Sequence, residues 1–453
     1  MRLIPLTLLI FCCTIVFSQP SKYVVAGPML GHSELRTATN WMQFTDDVRS
    51  ADIYYLPQNL ADAKSKQVAM QLAGGEFNTA TAVLSALEPG TTYTYTVRIN
   101  NQPGMVANGW FTTTTLWQYR SAAPDFSFIT GSCAYQNDTP YDRPGRAYGK
   151  NAAIFDTMAG ENAQFMLWLG DNWYTREVDY YSKWGLFYRA SKQRSAPELQ
   201  RLLKAMPQYA IWDDHDYGPN DADKSYPLKA TSREVFMRYW NNPSGGFNDQ
   251  GIYTKLNWND IDIFMLDDRW FRSNDHMQDS VHLLPNPGKK MLGDEQMEWL
   301  KNALLHSNIN KQVNFRIIAV GSQVLNPYSP WDCLYHFPAE YKELMTFITD
   351  NRINGVLFMS GDRHHSEIFR TERPGMYPLY DITVSPLTAG TAKSGGAEIN
   401  NPSRVGPEIS ENNYAKFSFT GDAKNRTLTV QYKDAKDTLL HEWSVTAAEL
   451  TMK

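Results

Sequence analysis

The stretch AQFMLWLGDNWY, residues 163–174, decides the fold of the larger part of this chain. A continuous apolar run that stops abruptly at Gly-Asp is typical of a strand buried on both faces. The same pattern recurs in FSFITGSC (126–133), YAIWDDHD (209–216), DIDIFMLDDRW (260–270), NFRIIAVGSQ (314–323) and VLFMSGDRHH (356–365). Helical patterns lie between these runs, at residues 151–159, 195–206, 294–307 and 335–351. The alternation predicts an α/β domain built in layers, with further strands after residue 380.

The residues before this domain have a different pattern. Short β-forming runs separated by turns fill residues 22–117, and ALEPGTTYTYTVRIN (86–100) alternates apolar and polar side chains after a Pro-Gly turn. This region resembles a fibronectin type III or immunoglobulin-like domain, so we predict a small all-β sandwich. The composition of residues 113–125 is that of a linker, which we place at residues 118–124, with the α/β domain at residues 125–450.

The overall composition is that of a folded protein. Of 453 residues, 42% are hydrophobic and 20% are charged, which argues against a disordered chain. The formal net charge is −5, so we expect no specific nucleic-acid binding.

The amino terminus has the pattern of a leader. The run MRLIPLTLLIFCCTIVFS places one Arg before a long apolar segment that ends in small residues. This pattern predicts a signal peptide, residues 1–19, and export to a periplasm or to the extracellular space. An uncleaved anchor is the alternative, although the run is short for a bilayer span. After cleavage we expect no stable membrane span.

Side chains that bind metals follow four of the predicted strands. They are Cys133; Asp171 and Tyr174; Asp213, Asp214 and His215; and Asp362, His364 and His365. Ligand sites in layered α/β folds lie beyond the carboxyl ends of strands. Cleavage of a phosphoester requires charge neutralisation and a strong nucleophile, which two cations about 3.5–4 Å apart provide. Asp171 is the best candidate for the carboxylate that bridges them.

Taken together, these motifs resemble those of a known family. GDNWY, WDDHD, MLDDRWFR, SGDRHH and the GSC turn resemble the alkaline phosphatase D (PhoD-like) branch of the metallophosphoesterases, over roughly residues 124–450. The resemblance implies a two-sheet sandwich flanked by helices. It also implies the metal ligands Cys133, Asp171, Tyr174, Asp214, Asp362 and His364. Iron(III) and calcium are the implied ions, and other divalent metals remain open. A thiolate and a phenolate suit ferric iron better than calcium.

Several residues have more than one interpretation. The resemblance implies that His215 contacts phosphate or protonates the leaving group. Asn220, in DYGPND, could be a metal or phosphate ligand instead of Asp214. Arg363 faces either phosphate or solvent, and His365 either orients a ligand or packs in the core. Cys133 could instead form a disulfide with Cys333.

Two further acidic residues have predicted structural roles. Asp213 should cap or bond to the turn that follows it. Asp267 and Arg269 should form a buried charge pair that supports the site.

The predicted function is that of an exported metal-dependent phosphoesterase. It would hydrolyse small or lipid phosphomonoesters, phosphodiesters or both, with a metal-bound hydroxide as nucleophile and with Asp171 and His215 in the reaction. A phosphodiesterase or phospholipase D-like enzyme is the alternative, in which the sandwich narrows the cleft. A secreted surface-binding protein on a degenerate scaffold is the non-enzymatic alternative, and the intact series of metal-binding side chains argues against it.

Overall fold

The computed structural model describes residues 21–59 and 63–452. The predicted signal peptide therefore lies outside the described residues. Within the described ranges, no helix combines the length and the apolar character that crossing a bilayer requires.

The amino-terminal region is all β, as predicted. Its strands are β1 Val24–Ser33, β2 Ala38–Phe44, β3 Ala51–Pro57, β4 Lys66–Ala69, β5 Gln71–Leu72, β6 Asn78–Leu84, β7 Thr92–Ile99 and β8 Met105–Thr112. They form two four-stranded antiparallel sheets, ordered β1-β2-β6-β5 and β4-β3-β7-β8. In β7 the side chains of Tyr93, Tyr95, Val97 and Ile99 are buried and alternate with more exposed residues. This period of two explains why the TYTYTV pattern predicts a strand with one buried face.

Two six-stranded mixed sheets form the core of the larger region. The first contains β9 Phe126–Gly131, β10 Met166–Leu169, β11 Gln208–Ile211, β20 Asn413–Thr420, β21 Thr427–Asp434 and β22 Leu439–Thr446. The second contains β12 Thr254–Trp258, β13 Ile261–Met265, β16 Phe315–Ala319, β17 Val356–Ser360, β18 Glu367–Thr371 and β19 Leu379–Thr383. A short hairpin, β14 Ser280–Val281 and β15 Leu284–Pro285, lies outside both sheets.

The two sheets pack face to face. Their strand orders are β11-β10-β9-β20-β21-β22 and β12-β13-β16-β17-β19-β18. Phe315 of β16 contacts Phe419 of β20 with ring centroids 5.3 Å apart, and the Tyr432 hydroxyl on β21 donates to the carbonyl of Thr383 on β19. The predicted two-sheet sandwich is confirmed.

The predicted helices form, and three others join them. The helices are α1 Ala153–Ala159, α2 Lys183–Arg194, α3 Gln200–Ala205, α4 Asp214–Tyr217, α5 Lys229–Tyr239, α6 Asp294–Ile309 and α7 Pro338–Asp350. The sequence did not predict α2, α4 or α5. In α2, Gly185 lies in the first turn and weakens the helical pattern of the sequence. Glycine is needed there because a Cβ would lie 2.3 Å from the Asp179 carbonyl oxygen. The Ser182 cap, which accepts from the Gly185 N–H, was the available signal.

The amino-terminal sandwich packs against β11, which is an edge strand of the first six-stranded sheet. The Trp41 indole N–H donates to the carbonyl of Arg238 on α5, and Gln43 bonds to Ser191 on α2. On β1, Ser33 donates through its backbone N–H to the Tyr209 hydroxyl on β11. These contacts explain why α2 and α5 form: both helices bury a face beneath the sandwich.

Candidate metal centre

Parallel strands of both sheets end at one edge, and the predicted ligands lie there. Strands β9, β10 and β11 are parallel in one sheet, and β13, β16, β17 and β19 are parallel in the other. Cys133, Asp171 and Asp362 each follow one of these strands. Their backbone φ angles are +58°, +53° and +64°, and His364 has +58°. Non-glycine residues rarely adopt this left-handed conformation, and such strain concentrates at functional sites.

Two glycines allow the strand ends to approach each other. Gly170 has φ +90°, and a Cβ there would lie 2.6 Å from the Cβ of Asp213. A Cβ on Gly361 would lie 2.6 Å from the Leu169 carbonyl oxygen and 2.7 Å from the Ser132 Cβ. Glycine at these two positions therefore brings the ends of β9, β10, β11 and β17 together.

The side chains at this edge form two groups of potential metal ligands that share one carboxylate. Cys133, Asp171 and His364 offer ligand atoms that all lie within 4.8 Å of one another, and so do Asp171, Asp214 and His215. Asp171 belongs to both groups. This is the arrangement expected of a carboxylate that bridges two cations.

The Cys133 thiol lies among polar partners in the first group. Its Sγ lies 3.5 Å from Oδ2 of Asp171 and 3.2 Å from the Ser385 hydroxyl. Both Cys133 and Cys333 are buried free thiols, so the disulfide alternative is wrong for this structure. Cys333 lies instead beside Gln323, in a bridge between the two backbones.

Tyr174 and His364 adjoin the thiol. The Tyr174 hydroxyl lies 3.4 Å from Nε2 of His364, and its ring lies against the ring of His215 with centroids 4.2 Å apart. Nδ1 of His364 contacts the Gly390 carbonyl, which fixes the ring and leaves Nε2 directed at Tyr174. The Tyr148 hydroxyl lies 3.1 Å from the same Nδ1, and the sequence had not singled out this tyrosine.

The second group is built on the short helix α4. Asp213 caps this helix in a reciprocal capping box with Asp216, which confirms its predicted structural role. The Asp214 carboxylate accepts hydrogen bonds from the backbone N–H groups of His215 and Asp221. Nδ1 of His215 is buried and has no hydrogen-bond partner among the described residues.

Burial, and after it the crowding of acidic groups, dominates the electrostatics of the centre. Burial, together with Cys133, Asp214 and other acids, raises the pKa of Asp171 well above its usual value. Burial, together with Asp332 and Asp214, raises the pKa of Asp362 to about 7, although its carboxylate belongs to neither ligand group. Burial and Asp362 raise the pKa of the Cys133 thiol to about 11.

Burying these acidic groups close together costs free energy when no cation lies among them, and bound cations would offset that cost. Thiol, phenol, imidazole and carboxylate donors, with an unpartnered imidazole nitrogen beside them, therefore fit a metal centre.

Comparison with known proteins identifies the family of this chain. A family model described as PhoD-like phosphatase matches residues 131–439. The chain belongs to this family.

Alkaline phosphatase D of Bacillus subtilis (strain 168) is 26% identical over 324 residues, which are 62% of this chain and 52% of that protein. This chain thus spans about half the length of that relative.

Two solved structures share the fold. A structure of PhoD has a TM-score of 0.75 at 15% identity and covers 96% of this chain and 92% of its own. The purple acid phosphatase PPD1 from yellow lupin (Lupinus luteus) has a TM-score of 0.66 at 13% identity, over 92% of this chain and 74% of its own.

The predicted charge pair between Asp267 and Arg269 does not form in this PhoD-like chain, and each side chain has other partners. The Arg269 guanidinium bonds to the carboxylates of Asp213 and Asp332, each at 2.6 Å, and not to the side chain of Asp267. Asp267 accepts instead from the Trp212 indole and from backbone N–H groups. Asp332 lies in a loop with no periodic pattern, so the sequence offered no signal for it. The prediction that Arg269 supports the site holds, but the partner was wrong.

Three further predicted residues lie outside the two ligand groups. Asn220 is exposed and bonds to the carboxylate of Asp221. Arg363 is buried and its guanidinium bonds to both carboxylate oxygens of Glu398, so the predicted contact with solvent is wrong and its charge is already matched by a carboxylate. His365 is buried and bonds to Glu367.

His365, Glu367 and Glu408 form a third group of potential ligands. The Arg404 guanidinium bonds to Glu367 and pairs with Glu408, so this group already contains its own cation.

A cavity of about 1050 Å³ opens beside the centre. Tyr174, His215 and Tyr148 line it next to the ligands, and the rest of its wall comes from residues 135–148, 174–180, 219 and 220. None of residues 21–59 or 63–117 lines it, so the described part of the sandwich does not narrow the cavity.

Proposed function

We propose that this chain is a metal-dependent phosphoesterase with a dinuclear centre. The observation that carries the proposal is the position of Asp171 in both ligand groups. Membership of the PhoD-like phosphatase family supports the same reaction class. The complete set of donor types argues against a degenerate, non-enzymatic scaffold.

The donor chemistry supports two different ions. Cys133, Tyr174 and His364 on one side of Asp171 suit ferric iron, whereas Asp214, with Asp362 nearby, supplies the hard oxygens that calcium prefers. Two cations held by these residues would neutralise the phosphate charge and would lower the pKa of a water molecule to near neutrality.

The residues of the chain have separate tasks in this proposal. Asp171 fixes the spacing of the two ligand groups. His215 lies on the cavity wall, and burial together with the nearby His364 lowers its pKa against the opposing effect of Asp214, which favours the neutral imidazole. We assign to it a hydrogen bond to the leaving oxygen, where negative charge develops as the P–O bond breaks.

The substrate is a small or lipid phosphoester, either a monoester or a diester. The cavity is much larger than one phosphate, which favours substrates with a sizeable group beyond the scissile bond. A phosphodiester substrate, the alternative predicted from the sequence, is compatible with this volume. We retain export to a periplasm or to the extracellular space as part of the proposal, on the strength of the leader.

The test uses purified protein, p-nitrophenyl phosphate and bis(p-nitrophenyl) phosphate. We expect hydrolysis of at least one of them, loss of the activity on exhaustive chelation, and recovery on addition of iron and calcium. Comparison of the two values of kcat/KM decides between monoester and diester. Hydrolysis that survives complete metal removal would contradict the proposal.

A further inference from the structure

The cavity beside the metal centre carries one positive charge that nothing in the wall neutralises. Its lining includes three arginines, Arg143, Arg146 and Arg176, and two carboxylates, Asp142 and Glu177. Arg176 is buried and pairs with Asp142 at 2.8 Å, and Arg143 pairs with Glu177 at 3.0 Å. Each carboxylate is therefore matched by one arginine.

Arg146 is the unmatched residue. Among residues 21–59 and 63–452 it makes no hydrogen bond, ion pair or cation–π contact. It is exposed at the cavity wall, in a chain whose formal net charge is −5. An uncompensated cation in a concave wall attracts an anion more strongly than a cation on a convex surface does.

The segment that carries Arg146 is tied to the metal centre. Tyr148, two residues further on, lies with its hydroxyl 3.1 Å from Nδ1 of His364, and the two ring centroids are 5.9 Å apart. Two residues of chain span at most about 7 Å between Cα atoms, so Arg146 remains within reach of a molecule bound at the centre. Pro140 and Pro144 restrict the same segment.

We propose that Arg146 binds a second anionic group, a phosphate or a carboxylate, on the part of the substrate that lies beyond the scissile phosphate. The cavity then selects phosphoesters whose leaving group is itself negatively charged. This inference rests on the proposed phosphoesterase function and adds the substrate class.

The experiment compares leaving groups of the same shape and different charge. The substrates are 4-carboxyphenyl phosphate, its neutral isostere 4-carbamoylphenyl phosphate, and 1,4-phenylene bisphosphate, and released phosphate is measured. We expect kcat/KM to favour the anionic leaving groups about fivefold, mainly through KM, as for an exposed ion pair. The phosphate and carboxylate arms show which anion is preferred, and the preference should shrink as salt is added.

Two variants test whether Arg146 causes the preference for anionic leaving groups. Arg146→Gln should abolish the preference and leave the rate on the carbamoyl substrate unchanged. Arg143→Ala is the matched control, because Arg143 lines the same wall but is already paired with Glu177, and the preference should persist. An unchanged preference in Arg146→Gln, or no preference in the wild type, would overturn the subsite alone. No hydrolysis of any of the three substrates would overturn the proposed function and this inference with it.

Discussion

The Asp171→Asn variant should hydrolyse p-nitrophenyl phosphate roughly a thousandfold more slowly than the wild type, or not at all. Asp171 is the single carboxylate common to both ligand groups, so its loss weakens both positions at once. Elemental analysis of the same preparation should show fewer than two metal ions per chain. Wild-type turnover in this variant would contradict the role assigned to Asp171.

In the metal-free protein, the same substitution should increase thermal stability. Burial and the surrounding acids raise the pKa of Asp171, so the contribution of this group to stability is present at low pH and is lost as the pH rises above the usual carboxyl range. Without metal, Asp171→Asn should therefore unfold at a higher temperature than the wild type at pH 8. Asp262→Asn is the matched control, because Asp262 is equally buried but pairs with Lys255 on β12, away from the centre. That variant should be less stable and should retain its metal.

The His215→Ala variant should lose roughly a hundredfold to a thousandfold in kcat and keep both metal ions. The imidazole lies on the cavity wall against Tyr174, and we assign to it a hydrogen bond to the leaving oxygen. A donor at that position matters most when the leaving group is poor. The loss should therefore be greater with phenyl phosphate than with p-nitrophenyl phosphate, and His215→Gln, which restores an N–H donor, should recover part of it.

The metal content of the His215 variants separates two roles. His215 also belongs to the ligand group of Asp171 and Asp214, so a ligand role predicts that one ion is lost on substitution. Equal losses on both aryl phosphates together with a lost ion would contradict the assignment of His215 to the leaving group.

The sequence predicted those parts of the site that follow buried strands. Cys133, Asp171 and His364 come within four residues of the ends of apolar strands, and parallel strands carry such positions to one edge of the fold. The choice between Asp213 and Asp214 could not be predicted, because neighbouring residues differ only in the direction of their side chains. The structure separates them, since Asp213 caps α4 and bonds to Arg269, whereas Asp214 faces Asp171.

The residues that the sequence missed belong to loops. Tyr148, Ser385 and Asp332 contact His364, Cys133 and Arg269 over separations of 216, 252 and 63 residues. No local pattern specifies such contacts, because they depend on where the loops meet after the sheets have packed. Arg363 shows the converse: it lies inside the SGDRHH motif, yet its charge is satisfied by Glu398 from a distant segment.

The most direct test of a shared-carboxylate dinuclear centre is the metal content of the purified chain, measured together with its visible absorption spectrum. We predict two ions per chain, one of them iron, with a charge-transfer band that is lost in Tyr174→Phe or Cys133→Ser. A chain that binds fewer than one ion and still hydrolyses phosphoesters would contradict the account.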